Sequence, residues 1–453
     1  MSGIMHTETA GMAEFSLLRD RLDRTVPYRR VGRLTRLSGL EICARGVRGA
    51  IGDLFWVRPA GPGTAAGAPA MVPAEVIASS DSELRLLPLG SIDGLSVGDE
   101  VESAGTRLQL EMSPHSAGRV LDALGRPIDG KGPLRGPVRR VDLDNAVPNP
   151  MLRRRITEPL SLGVRVIDTL LPCGRGQRVG IFAGSGVGKS TLLGMLARGA
   201  NADVVVVGLV GERGREVREF LEDDLGEEGA ARATVVVATS DEPALLRLRA
   251  AVTATRIAEW YADQGLDVLL LMDSLTRFAM AQREVGLAAG EPPTVRGYTP
   301  SVFTALPKLL ERSGPRQHGT ITALYTVLVE GDDLTEPITD HARSILDGHI
   351  VLSRRLASAG HYPTIDALES VSRLASKVCT PEQLAAASQL RQLLAALEES
   401  RDLIEIGAYV PGTNELTDEA LARKDRLMGF LRQPRSEVCP AEVAWRQLAE
   451  VLA

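Results

Sequence analysis

Along residues 12–26, apolar side chains recur every third or fourth position, at Met12, Phe15, Leu18, Leu22 and Val26, with Arg19, Asp20, Asp23 and Arg24 between them. That period places the apolar groups on one face of a helix. A lone amphipathic helix ahead of a domain either packs on its own chain or docks a partner; we read residues 1–28 as a docking helix. From about Gly32 to Thr106 the pattern changes to short runs of Val, Ile and Leu, broken by Ser38-Gly39, Ala60-Gly61-Pro62-Gly63, Gly90 and Asp93-Gly94 at hairpin-like intervals. This predicts a small β-barrel over 29–106. Residues 107–160 carry Gly125-Arg126-Pro127, Asp129-Gly130, Gly132-Pro133 and Pro148-Asn149-Pro150, a loop-rich crossover into the next domain. The uninterrupted apolar runs Arg178–Phe182, Val204–Val210, Thr234–Ala238, Val268–Met272 and Ile321–Val329 then alternate with helical stretches, the pattern of parallel strands buried on both faces. With the crossover they form a doubly wound α/β domain over 107–380. Beyond Thr380-Pro381 a helical period sets in, as at Leu390, Leu393, Leu394 and Leu397, which predicts a helical C-terminal domain over 381–453.

Composition narrows the function. The chain of 453 residues has 52 Lys and Arg against 58 Asp and Glu, a net charge of −6, so a basic nucleic-acid footprint is lacking. Aromatics make up 4%, too few for repeated base-stacking platforms. Cys43, Cys173, Cys379 and Cys439 lie far apart with no metal-ligand spacing, which argues against zinc and against a disulfide framework and fits a reducing cytoplasm. The acidic residues Glu8, Glu14, Asp20 and Asp23 and the lack of a continuous apolar stretch near the start make a secretory signal unreadable. Runs such as Val268–Met272 are far short of the ~18 residues that span a bilayer, so a soluble protein is expected.

The candidate chemistry begins at Ala183-Gly184-Ser185-Gly186-Val187-Gly188-Lys189-Ser190-Thr191, between the strand Arg178–Phe182 and the helix that Ser190 opens. Small residues let successive backbone N–H groups turn around phosphate oxygens, the helix N-terminus adds its dipole, Lys189 adds a point charge and Ser190 offers a hydroxyl to Mg²⁺. Ala183 stands where the phosphate-loop consensus has its first glycine. The Mg²⁺ of an ATP site also needs a carboxylate, and Asp273, at the end of the strand Val268–Met272, supplies it. Glu212, in Gly211-Glu212-Arg213-Gly214-Arg215-Glu216 directly after the strand Val204–Val210, is the candidate base for the attacking water. Arg213 beside it is assigned to the catalytic set, and Glu216 to surface ion pairing.

From Gly118-Arg119-Val120-Leu121-Asp122 through Leu403-Ile404-Glu405-Ile406-Gly407 the chain resembles the cytoplasmic ATPase of the type III export apparatus, its flagellum-specific members above all, with the rotary ATP synthase α and β subunits more distant. The specific stretches are Asp273-Ser274-Leu275-Thr276-Arg277-Phe278-Ala279, Arg296-Gly297-Tyr298-Thr299-Pro300-Ser301-Val302-Phe303 and Val329-Glu330-Gly331-Asp332-Asp333-Leu334-Thr335-Glu336-Pro337-Ile338. The resemblance implies a RecA-like P-loop ATPase core with an N-terminal β-barrel and a C-terminal helical domain, using ATP and Mg²⁺ as a homohexamer at the cytoplasmic face of the inner membrane. It further implies a stator-like regulator at the N-terminus, a central stalk protein, an export gate and chaperone–cargo complexes as partners, and no specific nucleic acid. It places Arg373, in Ser370-Val371-Ser372-Arg373, on an arginine finger serving the adjacent subunit, and Tyr362 on the aromatic that stacks adenine. Gln433-Pro434-Arg435 departs from the catalytic synthase subunits, which carry an aromatic after Gln-Pro.

Other classes fit less well. A non-catalytic synthase-type subunit has glutamine where this chain has Glu212, whereas Lys189, Glu212, Asp273 and Arg373 together let identical subunits complete every site. An RNA translocase of the Rho type would interleave aromatic and basic residues in the first 110 positions, which this sequence does not do. A proton-driven synthase catalytic subunit uses the same residues and would co-purify with an α-like chain. A virulence injectisome ATPase shares the same site, so the flagellar expectation rests on nearness of resemblance.

Overall fold

A computed structural model describes residues 30–38, 41–59, 71–329, 331, 333 and 335–453. The expected docking helix over 1–28 lies outside the described residues. The chain divides into two compact units, Met1–Arg107 and Leu108–Ala453.

In the first unit, strands β1 (Val31–Ser38), β2 (Glu41–Arg45), β3 (Asp53–Arg58), β4 (Val72–Ser79), β5 (Leu84–Pro88) and β6 (Glu100–Arg107) close a barrel in the order β1-β2-β5-β4-β3-β6. β6 pairs with both β3 and β1, which removes the open edges a flat sheet of this size would present. Leu34, Ile42, Phe55, Val57, Val76 and Leu86 point inward and fill it.

The second unit opens with β7 (Gln109–Met112), β8 (Val120–Asp122) and β9 (Arg139–Asp142), then a short ribbon of β10 (Pro159–Leu160) and β11 (Cys173–Gly174). Its main strands follow: β12 (Arg178–Ala183), β13 (Val204–Glu212), β14 (Ala233–Thr239), β15 (Asp267–Asp273), β16 (Gly314–Pro315), β17 (Thr320–Leu328), β18 (Gly348–Leu352) and β19 (Ile365–Ser372). The sheet runs β19-β18-β12-β17-β15-β13-β14-β8, with β16 attached to β17. All neighbours along this path are parallel except β18 and β19. The five apolar runs read from the sequence are its central strands. β8, contributed by the crossover segment, and the antiparallel β19 extend the sheet at its two edges. Helices such as Lys189–Gly199, Ala244–Ala262 and Leu275–Ala288 cover it, as strands buried on both faces require.

The helices after Thr380 do not build a core of their own. Leu390, Leu393, Leu427, Phe430 and Leu448 join the same buried cluster as Leu162, Ile181, Leu193 and Val207. The first of these helices, Pro381–Glu399, starts on a capping box in which Thr380 and Gln383 satisfy each other's backbone N–H groups. Among the described residues, no helix is long and apolar enough to cross a membrane.

A fully buried carboxylate holds one flank of the sheet. Glu259, on the helix Ala244–Ala262, accepts from Nε and Nη2 of Arg312 at 2.8 and 2.9 Å and from Nδ2 of Asn145 at 2.9 Å, with Arg316 at 3.2 Å. Burial opposes its charge, but the hydrogen bonds and charge of Arg312 outweigh burial and hold the carboxyl below the usual glutamate range. A depressed folded-state pKa stabilises above the ordinary value and is lost as pH falls through the folded one. We therefore expect Glu259→Gln to cost about 3–5 kcal/mol near neutral pH by leaving Arg312 buried and unpaired. Urea unfolding curves check this: the deficit should narrow in acid and shrink when Arg312→Met is added, and a wild-type midpoint for Glu259→Gln would contradict it.

Candidate active site

Parallel strands deliver their C-terminal ends to one edge of a sheet, and here that edge carries Ala183 from β12, Glu212 from β13 and Asp273 from β15. The phosphate loop leaves β12 at Gly184 and enters the helix Lys189–Gly199 through Gly188, whose φ of 88° serves as its N-cap. Gly186 has a φ of 78°, so both turns of the loop use conformations costly to other residues. Ser185 and Gly186 are exposed while Val187 is buried, anchoring the loop from below. Thr364 donates its hydroxyl to the Val187 carbonyl at 2.6 Å. The first-turn N–H groups of a helix lack intrahelical acceptors, so those of Lys189, Ser190 and Thr191 face the loop mouth as anion donors. In the π-helix Phe220–Leu225, burial pushes the Asp224 carboxyl up, and the Thr191 side chain opposes that rise.

Lys189 joins the loop to both carboxylates. Its Nζ lies 2.5 Å from Oδ1 of Asp273 and 3.4 Å from Oε1 of Glu212, and both carboxylates are buried, at 3% and 6% exposure. Burial would push the Lys189 ammonium down, but Asp273 and then Glu212 outweigh it and hold it above its ordinary value. Burial pushes the Glu212 carboxyl up to about 6; Asp273 adds to that rise, and Lys189 and Arg277 oppose it. A carboxyl of that pKa is a competent proton acceptor near neutrality.

Arg277 is the residue the sequence reading overlooked. It sits in the first turn of the helix Leu275–Ala288, which begins right after Asp273-Ser274, and its Nε and Nη2 reach Glu212 at 3.1 and 3.4 Å. Its position four residues past Asp273 was the available signal. Arg213, expected in the catalytic set, turns outward as the cap of a short helix and pairs with Glu216 at 3.2 Å, its side chain 65% exposed. The structure therefore does not bring it to the Lys189 cluster: β13 bulges at Gly211 (φ 69°) and ends at Glu212, and Arg213 caps the helix that follows with its side chain turned to Glu216.

Tyr362 flanks the loop. A Cβ built on Gly188 would lie 3.7 Å from its ring, and the residue is 50% exposed, free to present a face. Its carbonyl accepts from the backbone N–H of Gln433 at 3.0 Å. The buried Gln433 side chain spends itself on Gly163 O, Glu437 O and Arg165 N–H, so Gln433 ties the C-terminal helices to the loop's surroundings. Arg373 is not in this group. It follows Ser372, which pairs with Gly348, whereas the loop end of the sheet is marked by Leu352 pairing with Ile365. That separation along β19 is roughly 20 Å, and the exposed Arg373 donates to the Arg343 carbonyl at 3.1 Å.

The residues present fit ATP with Mg²⁺. Mg²⁺ takes oxygen ligands, usually one or two carboxylate or hydroxyl groups besides substrate phosphates; Ser190 at the helix start and Asp273 at the strand end are donors of that kind. Lys189 is a cation already held at the same edge.

The ATP synthase alpha/beta family nucleotide-binding domain matches residues 163–372, and the T3SS EscN ATPase C-terminal domain matches 379–450. The chain is 50% identical over 418 residues to the flagellum-specific ATP synthase of Bacillus subtilis, covering 92% of this chain and 94% of that one. It is also 50% identical over 416 residues to the type 3 secretion system ATPase of Sinorhizobium fredii, covering 91% of each. The assembled ATPase EscN from the enteropathogenic E. coli type III secretion system superposes with a TM-score of 0.86 at 44% identity, over 93% of this chain and 100% of that one; EscN in complex with its central stalk EscO gives 0.85. With the phosphate loop, the paired carboxylates and the barrel-plus-sheet architecture all accounted for, the chain belongs to the family of flagellum-specific and type III secretion system ATPases.

Proposed function

We propose that this ATPase hydrolyses Mg·ATP to energise protein export through a flagellar type III apparatus, as a homohexameric ring on the cytoplasmic side of the membrane. The observation that carries the reading is the convergence of Lys189, Glu212 and Asp273 beneath one phosphate loop. Gly184 to Thr191 bind the phosphates through backbone N–H groups, Lys189 neutralises their charge, and Ser190 with Asp273 holds Mg²⁺, which supplies Lewis-acid stabilisation of the γ-phosphoryl oxygens. Glu212 takes the proton of the attacking water, and Arg277 keeps that carboxylate oriented. Tyr362 stacks on adenine. Arg213, exposed at the strand end, is the group that a bound γ-phosphate would draw in from solvent. Arg373 stands too far from its own loop to act there, so it completes the site of the next subunit, where a planar guanidinium suits the charge on the transferred phosphoryl. The EscN–EscO complex supports a central stalk partner. A stator-like regulator at residues 1–28, an export gate and chaperone–cargo complexes complete the assembly. An injectisome role is the second reading, favoured by the equal identity to the Sinorhizobium fredii secretion ATPase.

Two expected outcomes test this. Glu212→Gln should bind ATP normally while turnover falls by about 10² or more, since the amide cannot accept the proton. With the carboxyl raised to about 6, wild-type turnover should fall as pH drops through about 6. Bound ATP adds negative charge and moves this limb upward if at all, and the limb should be missing from the residual activity of Glu212→Gln. Placed in the chromosome, the same substitution should stop filament assembly; intact filaments with lost needle secretion would move the assignment to the injectisome. Equal loss of binding and turnover would make Glu212 structural.

The second outcome concerns the ring. Mixing Arg373→Ala with Glu212→Gln subunits should restore part of the activity, because one class of interface then has both base and finger. The ATPase rate of each variant alone and of the exchanged mixture checks it. No recovery in demonstrably mixed rings would contradict action in trans.

A further inference from the structure

β15 and β17 are parallel neighbours paired through Met272 and Tyr325, which sets the next residues, Asp273 and Thr326, side by side at the strand ends. Thr326 is fully buried, and its hydroxyl donates to Oδ1 of Asp273 at 2.7 Å. Its alternative acceptor, the Met272 carbonyl, lies at 3.4 Å. A buried hydroxyl among apolar neighbours such as Leu324 and Val327 is costly unless hydrogen-bonded, and valine would fill the place more cheaply. Two donors thus meet on one carboxylate oxygen, Lys189 at 2.5 Å and Thr326 at 2.7 Å. They differ in mobility. Lys189 hangs on a flexible stem and is the group that incoming phosphates attract, whereas Thr326 is β-branched, stiff at χ1 and fixed in a central strand.

We propose that Thr326 is a positioning residue for the metal carboxylate: it pins Oδ1 of Asp273 and fixes the rotation of the carboxylate when Lys189 shifts toward the nucleotide. The inference rests on the reading of Asp273 as a Mg²⁺ ligand given above. Thr326 touches neither nucleotide nor metal in this role. Its effect therefore appears in how much Mg²⁺ strengthens nucleotide binding, not in nucleotide binding itself.

Calorimetric titration of the full-length protein with ADP, with and without Mg²⁺, tests it without turnover. In Thr326→Val the affinity for ADP alone should match wild type, and the Mg²⁺-dependent gain should fall about tenfold, the size of one hydrogen bond to a charged group. Thr326→Ser, which keeps the hydroxyl, should retain the gain. Thr326→Ala carries the same expectation as Thr326→Val, so a folding defect in one, seen by thermal melting, leaves the other to decide. A full Mg²⁺-dependent gain in the folded Val or Ala variant overturns this inference alone, as does a Ser variant that loses as much as Val. Wild-type protein without any Mg²⁺-dependent gain overturns the metal reading of Asp273, and this inference with it.

Discussion

Two carboxylates from adjacent parallel strands stand almost wholly buried at the same sheet edge, and the ammonium of Lys189 between them makes that arrangement tenable. Burial raises the Glu212 carboxyl and the charge of Asp273 adds to that rise, even with Lys189 present to oppose it. The phosphate loop therefore does more than cradle phosphates. It inserts the cation that lets Glu212 and Asp273 coexist, and Thr326 and Arg277 each hold one of the two carboxylates. The parallel topology is a precondition, since antiparallel neighbours would send one of these strand ends to the opposite edge.

The same sheet explains where Arg373 stands. β19 runs against its neighbour β18, so the residue that follows it, Arg373, emerges at the edge away from the loop. The C-terminal helices share the core of the nucleotide-binding sheet, and Gln433 bonds to the carbonyl of Tyr362. Those helices and the Tyr362 side of the site are thus joined through packed side chains and a backbone hydrogen bond.

Much of this was legible in the sequence. The phosphate loop is a local device, a glycine pattern between a strand and a helix, so its chemistry can be read from consecutive residues. Central strands buried on both faces announce themselves as unbroken apolar runs, which also located Glu212 and Asp273 at strand ends. Other features depended on direction and pairing. Arg213 adjoins Glu212 in the sequence and Arg277 does not, yet the fold turns Arg213 outward to Glu216 and brings Arg277 to Glu212. The three residues of β8 are too few for any period, and helical periodicity after Thr380 revealed the helices but not the core they share.

The most direct test of the account is Lys189→Met, which removes the cation and keeps the stem. Calorimetric binding of Mg·ATP and steady-state turnover should both be measured on folded protein. The account predicts that turnover is abolished, because the cation that neutralises phosphate charge and balances Glu212 against Asp273 is gone. Wild-type turnover from Lys189→Met would contradict it.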